Sequence, residues 1–171
     1  MEKLDFLIDY LINENKNICI KEIPKNLEEK KRLYRSLCNI REAKPISKEY
    51  INIENKFLKE ESERKNIMDS NNITEIINYK ETQICLWQGD ITTLKVDAIV
   101  NAANSQGIGC FIPCHKCIDN AIHSASGIKL RLECSKIMEK IGTLQTGKAF
   151  ITSGYNLQAK YVIHTVRTNY I

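Results

Sequence analysis

An α/β layer fold behind an N-terminal helical segment is the architecture to expect of this chain, and three observations carry that expectation. Apolar residues recur at helical spacing from the start of the chain to about residue 68. From residue 82 the pattern changes to short apolar runs closed by turn residues, which suits buried strands. Between those runs lie two further stripes at helical spacing, and strands alternating with helices indicate α/β layers.

In the first segment, Leu4, Leu7, Ile8, Leu11 and Ile12 form one stripe. Asn26 with Glu29 is a candidate capping pair for a second helix carrying Leu27, Leu33, Tyr34 and Leu37. Ser47 can cap a third helix bearing Tyr50, Ile51, Phe57 and Leu58. Glu60 to Asn66 reads as a solvated helix end, and Asp69-Ser70-Asn71-Asn72 as a linker. The expected organisation is therefore a helical extension over residues 1–72 and an α/β domain over residues 73–171.

The expected strands are Ile84-Cys85-Leu86-Trp87, Val96 to Val100, Ala149-Phe150-Ile151-Thr152 and Tyr161-Val162-Ile163. Ile118, Ala121, Ile122 and Ala125 mark one helix face, and Leu130, Leu132, Ile137 and Met138 a second, after Gly127. A hydrophobic content of 43% supports a packed core. The net charge of +4 comes from interleaved signs without a long like-charged block, so nucleic acid is not an expected partner. Leu4 to Tyr10 is broken by acids and too short to span a bilayer; neither a signal peptide nor a membrane segment is expected. Seven irregularly spaced cysteines suit a reducing cytoplasm better than a disulfide framework.

The densest chemistry lies in Cys110-Phe111-Ile112-Pro113-Cys114-His115-Lys116-Cys117, where three of the seven cysteines and one of the three histidines share eight residues. Thiolate and imidazole are the ligands zinc prefers, and three of them leave a fourth position open for chemistry. The spacing Cys-x4-His-x-Cys is not that of a zinc finger or ribbon. Pro113 places an expected helix start near Cys114, with His115 on the helix and Cys117 in its first turn, where the dipole favours a thiolate. Cys114 adjoins His115 directly, a poor arrangement for sharing an ion. The alternative is that these are core cysteines beside a surface histidine. Asp119 and His123 follow His115 at helical intervals and read either as partners supporting the ligands or as the polar face of an amphipathic helix, the latter being favoured for His123.

Gly89-Asp90-Ile91-Thr92 follows a strand-like run; Asp90 can bind an exocyclic amine or simply cap the turn that follows. Asn101 and Asn104 leave the next strand close to the cysteine segment.

Together these residues carry a resemblance. Trp87-Gln88-Gly89-Asp90-Ile91-Thr92, Val96-Asp97-Ala98-Ile99-Val100-Asn101-Ala102-Ala103-Asn104 and Tyr161-Val162-Ile163-His164-Thr165-Val166 resemble macrodomains, the ADP-ribose-binding α/β modules. Gly109 to Asn120 resembles the zinc-dependent microbial branch, protein ADP-ribosyl hydrolases found beside a sirtuin-type transferase. The likeness covers about residues 84 to 166, and the helical segment resembles that branch's extension. It implies a macrodomain-type mixed sheet with flanking helices. It implies Asp90 and the backbone at Ile91 at the adenine, Asn104 at the distal ribose as binding and catalytic residue, and Zn²⁺ on Cys110, His115 and Cys117. The implied function is zinc-dependent removal of mono-ADP-ribose from modified protein side chains. A non-catalytic ADP-ribose-binding module or inactive remnant is the alternative, and a structural zinc protein a third reading. After His164-Thr165-Val166 the family continues with Gly-Pro and a further half-domain, whereas this chain reads Arg167-Thr168-Asn169-Tyr170-Ile171, so a C-terminally truncated, incomplete macrodomain is expected.

Overall fold

A computed structural model describes residues 2–15, 17, 18, 20 and 22–166. The expectation concerning residues 167–171 lies outside them.

Three helices come first: α1 (Glu2–Glu14), α2 (Leu27–Ile40) and α3 (Lys48–Glu63). Asn26 starts α2 by accepting the amides of Glu28 and Glu29, and Ser47 starts α3 by accepting that of Tyr50. Each cap satisfies amides that the first helical turn leaves without partners. The three helices bury Leu4, Leu7, Ile8, Leu11, Tyr34, Leu37, Tyr50, Phe57 and Leu58 in one cluster. Leu27 departs from the expected stripe and is half-exposed. Charged residues hold the rim, with Lys30 on Asp5, Lys31 on Glu61 and Arg41 on Glu14.

The expected linker is structured. β1 (Met68–Asp69) pairs in parallel with β4 (Leu94–Lys95), and a 3-10 turn follows at Ser70–Asn72 because Asp69 accepts the amide of Asn71. The expected strand at Ile84–Trp87 is shifted and half of a hairpin: β2 (Ile76–Tyr79) lies antiparallel to β3 (Thr82–Cys85) around Lys80, whose φ is 53°. The hairpin is largely exposed rather than buried, which is why only one of its strands stands out as an apolar run.

The central sheet has the order β5 (Ala98–Ala103), β7 (Tyr161–Val166), β6 (Ala149–Ser153), with β5 and β7 parallel and β6 antiparallel to β7. Helices α4 (Ile118–Ser126) and α5 (Ile128–Ile141) lie between β5 and β6 in sequence. Ile99, Asn101, Ala103, Val162, His164 and Thr152 point to the buried face, and the second hydrophobic cluster forms there around Ile122, Leu130 and Cys134. Burial on both faces was the expectation for these strands; instead Val100, Ile151 and Tyr161 are about half-exposed on the other face. The alternation along β5 therefore has the period of a one-sided sheet.

Helix α4 buries polar residues. Asp119, Asn120, His123 and Ser126 are all buried, while Ile118 is partly exposed, so the polar face expected in solvent is turned inward. The reason is its position: α4 packs on β5 and also against α2 and α3, so it has little free surface. Gly127, at φ 90°, ends α4 and starts α5; a Cβ there would lie 2.8 Å from Glu54 Oε2.

Candidate functional site

The end of β5 leads into a loop from Asn104 to Cys117 that carries most of the candidate chemistry. Asn104 shapes its start. The side-chain oxygen accepts the amides of Gln106 and Gly107 at 3.0 and 3.1 Å, and the amide group donates to Gly109 O at 3.2 Å. Gly109 lies against α4; a Cβ there would meet the His123 ring at 2.9 Å, and its φ of 91° also disfavours any other residue.

The expected helix start near Cys114 is not where the helix begins. Cys114 takes φ 51°, the chain turns once more, and Cys117 is the N-cap of α4, accepting the amide of Asn120 at 3.4 Å. His115 is therefore a loop residue. That extra turn brings the three side chains together. Cys110 Sγ lies 3.7 Å from His115 Nδ1, and the ligand atoms of Cys110, His115 and Cys117 all lie within 4.8 Å of one another. Cys110 is buried, Cys117 half-buried and His115 exposed, so the group has a floor in the protein and a rim in solvent. The thiol of Cys114 points elsewhere, toward Arg32 O at 3.3 Å.

This donor set fits zinc. Sulfur and nitrogen on one tetrahedral ion stand about 3.5 Å apart from their bond lengths, close to the separation of Cys110 and His115. The helix N-terminus does not by itself make Cys117 a thiolate. Burial pushes its thiol up and the neighbouring Cys110 adds to that, against the bond from Asn120 N.

Asp90 caps a 3-10 turn at Ile91–Thr93, accepting Thr92 N at 3.0 Å and the Thr92 hydroxyl at 2.7 Å. Lys65, just past α3, donates to its other oxygen at 2.9 Å. Partial burial pushes the Asp90 carboxyl up, but the bonds from Thr92 and Lys65 outweigh it and hold its pKa below the usual value. One oxygen is thus committed to the turn, and the side chain remains half-exposed. The turn packs on α4, the helix that Cys117 caps.

Beneath the loop lies a polar interior that the sequence reading missed. Asn101 Nδ2 donates to Asp119 Oδ1 at 2.7 Å and to His164 Nδ1 at 3.1 Å, and His164 Nε2 meets Thr152 Oγ1 at 2.9 Å. Burial lowers the His164 pKa to about 4 and that of His123 well below its ordinary value, so both rings are neutral at pH 7. The 3.5 Å approach of His123 to Asp119 is accordingly not an ion pair. Burial raises the Asp119 pKa despite Asn101 and Arg131. Among the described residues, His123, Cys134 and His164 form a second group with ligand atoms within 4.8 Å of one another. It is not a metal site of the same quality, since both nitrogens of His164 are engaged by Asn101 and Thr152. Two polar residues inside apolar strands, Asn101 and His164, were the available signal: they pair in register across β5 and β7.

Comparison with known proteins bears on this geometry. The Macro domain family model matches residues 100–170. A Trypanosoma brucei macrodomain solved with ADP-ribose superposes with a TM-score of 0.50 at 28% identity, covering 78% of this chain and 59% of that one. The fold is a mixed α/β fold of macrodomain type. Among curated relatives, a protein-ADP-ribose hydrolase of Treponema medium is 45% identical over 166 residues, 96% of this chain and 64% of the relative. A protein-ADP-ribose hydrolase of Staphylococcus aureus (strain COL) is 44% identical over 96% of this chain and 60% of its own length. The chain thus spans about three-fifths of the length of these relatives. Among the described residues, no helix of the macrodomain-type structure is long and apolar enough to cross a membrane.

Proposed function

We propose that this chain serves a zinc-dependent hydrolase that removes mono-ADP-ribose from modified protein side chains. The observation that carries the reading is the convergence of Cys110, His115 and Cys117 within 4.8 Å on the loop that Asn104 opens, on a macrodomain-type fold. The protein-ADP-ribose hydrolase names of the relatives and the ADP-ribose complex of the structural neighbour support it. Cys110, His115 and Cys117 would hold the zinc, which when bound supplies positive charge against charge developing at the ribose. Asp90 would accept the adenine amine at the oxygen it shares with Lys65, the other being committed to Thr92, with the Ile91 backbone completing that edge. Asn104 would fix the distal ribose by keeping the loop in its turn and presenting its amide beside Gly109. The substrate protein would come from an ADP-ribosyltransferase, a sirtuin-type enzyme on the family resemblance.

One observation favours a second reading, a module that binds ADP-ribose without turnover. The Asn104 side chain already accepts two amides and donates to one carbonyl. A turnover assay separates the two. Zinc-loaded and chelator-treated protein are incubated with a mono-ADP-ribosylated protein, and released ADP-ribose is measured alongside ADP-ribose binding. Release that requires zinc supports the hydrolase. Binding without release by zinc-loaded protein would establish the module instead.

A further inference from the structure

Arg131, on α5, is buried and donates to five backbone carbonyls. Nη1 reaches Cys38 O, Asn39 O and Arg41 O at 2.9, 2.8 and 2.6 Å, Nε reaches Ile108 O at 3.0 Å, and Nη2 reaches Cys110 O at 3.1 Å. Among the described residues no carboxylate is hydrogen-bonded to it, and the buried Asp119 acts on it only through space. A buried cation without a hydrogen-bonded acid is costly unless oriented dipoles replace its water. Here three of the dipoles are carbonyls at the C-terminal end of α2, where the helix field favours a cation. The other two belong to the loop of candidate ligands, and one of them is the carbonyl of Cys110 itself. Phe111, the next residue, lays its ring 4.2 Å from the guanidinium carbon and covers its face.

A second arm runs from α2 to the same loop. Arg35 Nη2 donates to His115 O at 3.0 Å, and Nε and Nη2 donate to Asn120 Oδ1 at 3.0 and 2.6 Å. Asn120 in turn holds Ile112 O through Nδ2 at 3.0 Å and the Cys117 sulfur through its backbone amide at 3.4 Å. Between the arms, Asn39 Oδ1 accepts the amide of Cys114 at 2.8 Å, where the chain makes its left-handed turn. Each of the three candidate ligands thus has a carbonyl, or a sulfur-bound amide, tied to α2 or to α5.

We propose that Arg131, assisted by Arg35, is a positioning residue for the metal loop: it presets Cys110 and His115 within reach of one ion before metal arrives. The inference rests on the zinc reading above. It gives the N-terminal helices a role in the site, because the carbonyls that seat Arg131 come from the end of α2.

The test compares wild type with Arg131→Lys, Arg35→Gln and Leu7→Ala. Leu7 lies in the core of the first three helices and has no part in the loop contacts. Zinc affinity is read by competition with a chromophoric chelator, the ligand geometry by the absorption spectrum of the Co²⁺-loaded protein, and folding by thermal unfolding. Arg131→Lys and Arg35→Gln should each weaken zinc binding by about 10- to 100-fold, the usual cost of removing a group that orients a metal ligand, and Arg131→Lys should alter the Co²⁺ spectrum. Leu7→Ala should lose thermal stability with little change in affinity or spectrum. Wild-type affinity in folded Arg131→Lys overturns the proposal, as does an equal loss of affinity in Leu7→Ala, which would reduce the effect to general stability. If Arg131→Lys does not fold, Arg35→Gln decides in the same way. A wild-type protein that binds neither zinc nor Co²⁺ overturns both the proposal and the zinc reading, whereas tight wild-type binding with unaffected arginine variants overturns the proposal alone.

Discussion

Glu54 Oε2 accepts the amide of Ile128 at 3.0 Å, so a carboxylate on α3 caps α5 in the α/β part. The other oxygen accepts the Tyr34 hydroxyl at 2.8 Å, and Glu54 is fully buried. Gly127, which precedes Ile128, has no side chain to cap the helix and leaves room for Glu54 to do so. Burial pushes the Glu54 carboxyl up, partly offset by the bonds from Tyr34 and Ile128. Glu54→Ala should destabilise the protein by about 1–3 kcal/mol for each partner left buried without an acceptor. Glu54→Gln retains an acceptor oxygen and should cost less. Denaturant unfolding of the two variants checks this; equal losses would mean that the acceptor oxygens are not what stabilises the junction.

Asp90 combines a local and a proposed role, and substitution can separate them. Asparagine is as good an N-cap as aspartate, so Asp90→Asn should leave the turn at Ile91–Thr93 and the melting temperature nearly unchanged. It removes the carboxylate that would accept the adenine amine, and ADP-ribose affinity should fall by about 1–3 kcal/mol. Asp90→Ala should lose both. Calorimetric titration with ADP-ribose beside thermal melts gives the comparison. Unchanged affinity in Asp90→Asn would leave the residue as a cap and nothing more.

These residues also show where the sequence was legible. The stripe through Leu4, Leu7, Ile8 and Leu11 and the caps at Asn26 and Ser47 are local signals, and the helices follow them. The strands at Ala98–Ala103 and Tyr161–Val166 follow from apolar runs. The hairpin at Ile76–Cys85 was legible in only one strand, because neither strand is buried. The polar interior was hidden for the opposite reason. His123 read as part of a solvent face, and Asp119 as either that or a ligand's partner, because apolar patterning assumes that polar residues face water. What surrounds them comes from elsewhere in the chain: Asn101 on β5 at Asp119, and His164 on β7 and the Gly109 backbone at His123. The cysteine segment announced its chemistry by composition, but not its shape: the left-handed turn at Cys114 is set by Asn39, a long-range contact.

That turn makes a metal prediction specific. Cys110→Ala, His115→Ala and Cys117→Ala should each lose most of the zinc that wild type holds, one ion per chain. Cys114→Ala should retain it, since the Cys114 thiol is directed to Arg32 O. Elemental analysis of the four purified variants after dialysis against limited zinc decides the assignment. Full zinc in Cys117→Ala, or none in Cys114→Ala, would falsify it.

The pH dependence of stability should carry the signature of His164. Its ring is buried against Asn101, Thr152, Cys134 and Phe150, with His123 of α4 nearby, and burial lowers its pKa to about 4. In the unfolded chain the same ring titrates near about 6.5. Between those values the unfolded state binds the proton and the folded state does not, so stability rises with pH across that window and falls as pH drops through it. The full effect would be on the order of 3 kcal/mol, complete only below the folded pKa. His123, whose pKa is also lowered, acts in the same direction, while Asp119, whose pKa is raised, acts oppositely. The difference between wild type and one variant therefore isolates the His164 part better than the whole profile does. His164→Gln keeps a polar side chain for Asn101 and Thr152 but cannot take up the proton. It should be less stable than wild type at pH 7, and the gap should narrow steadily as the pH falls from about 6.5 toward 4. Urea unfolding at intervals across that range gives the slope of each protein. Parallel slopes would mean that His164 does not titrate differently on folding and that the acid response belongs to other groups.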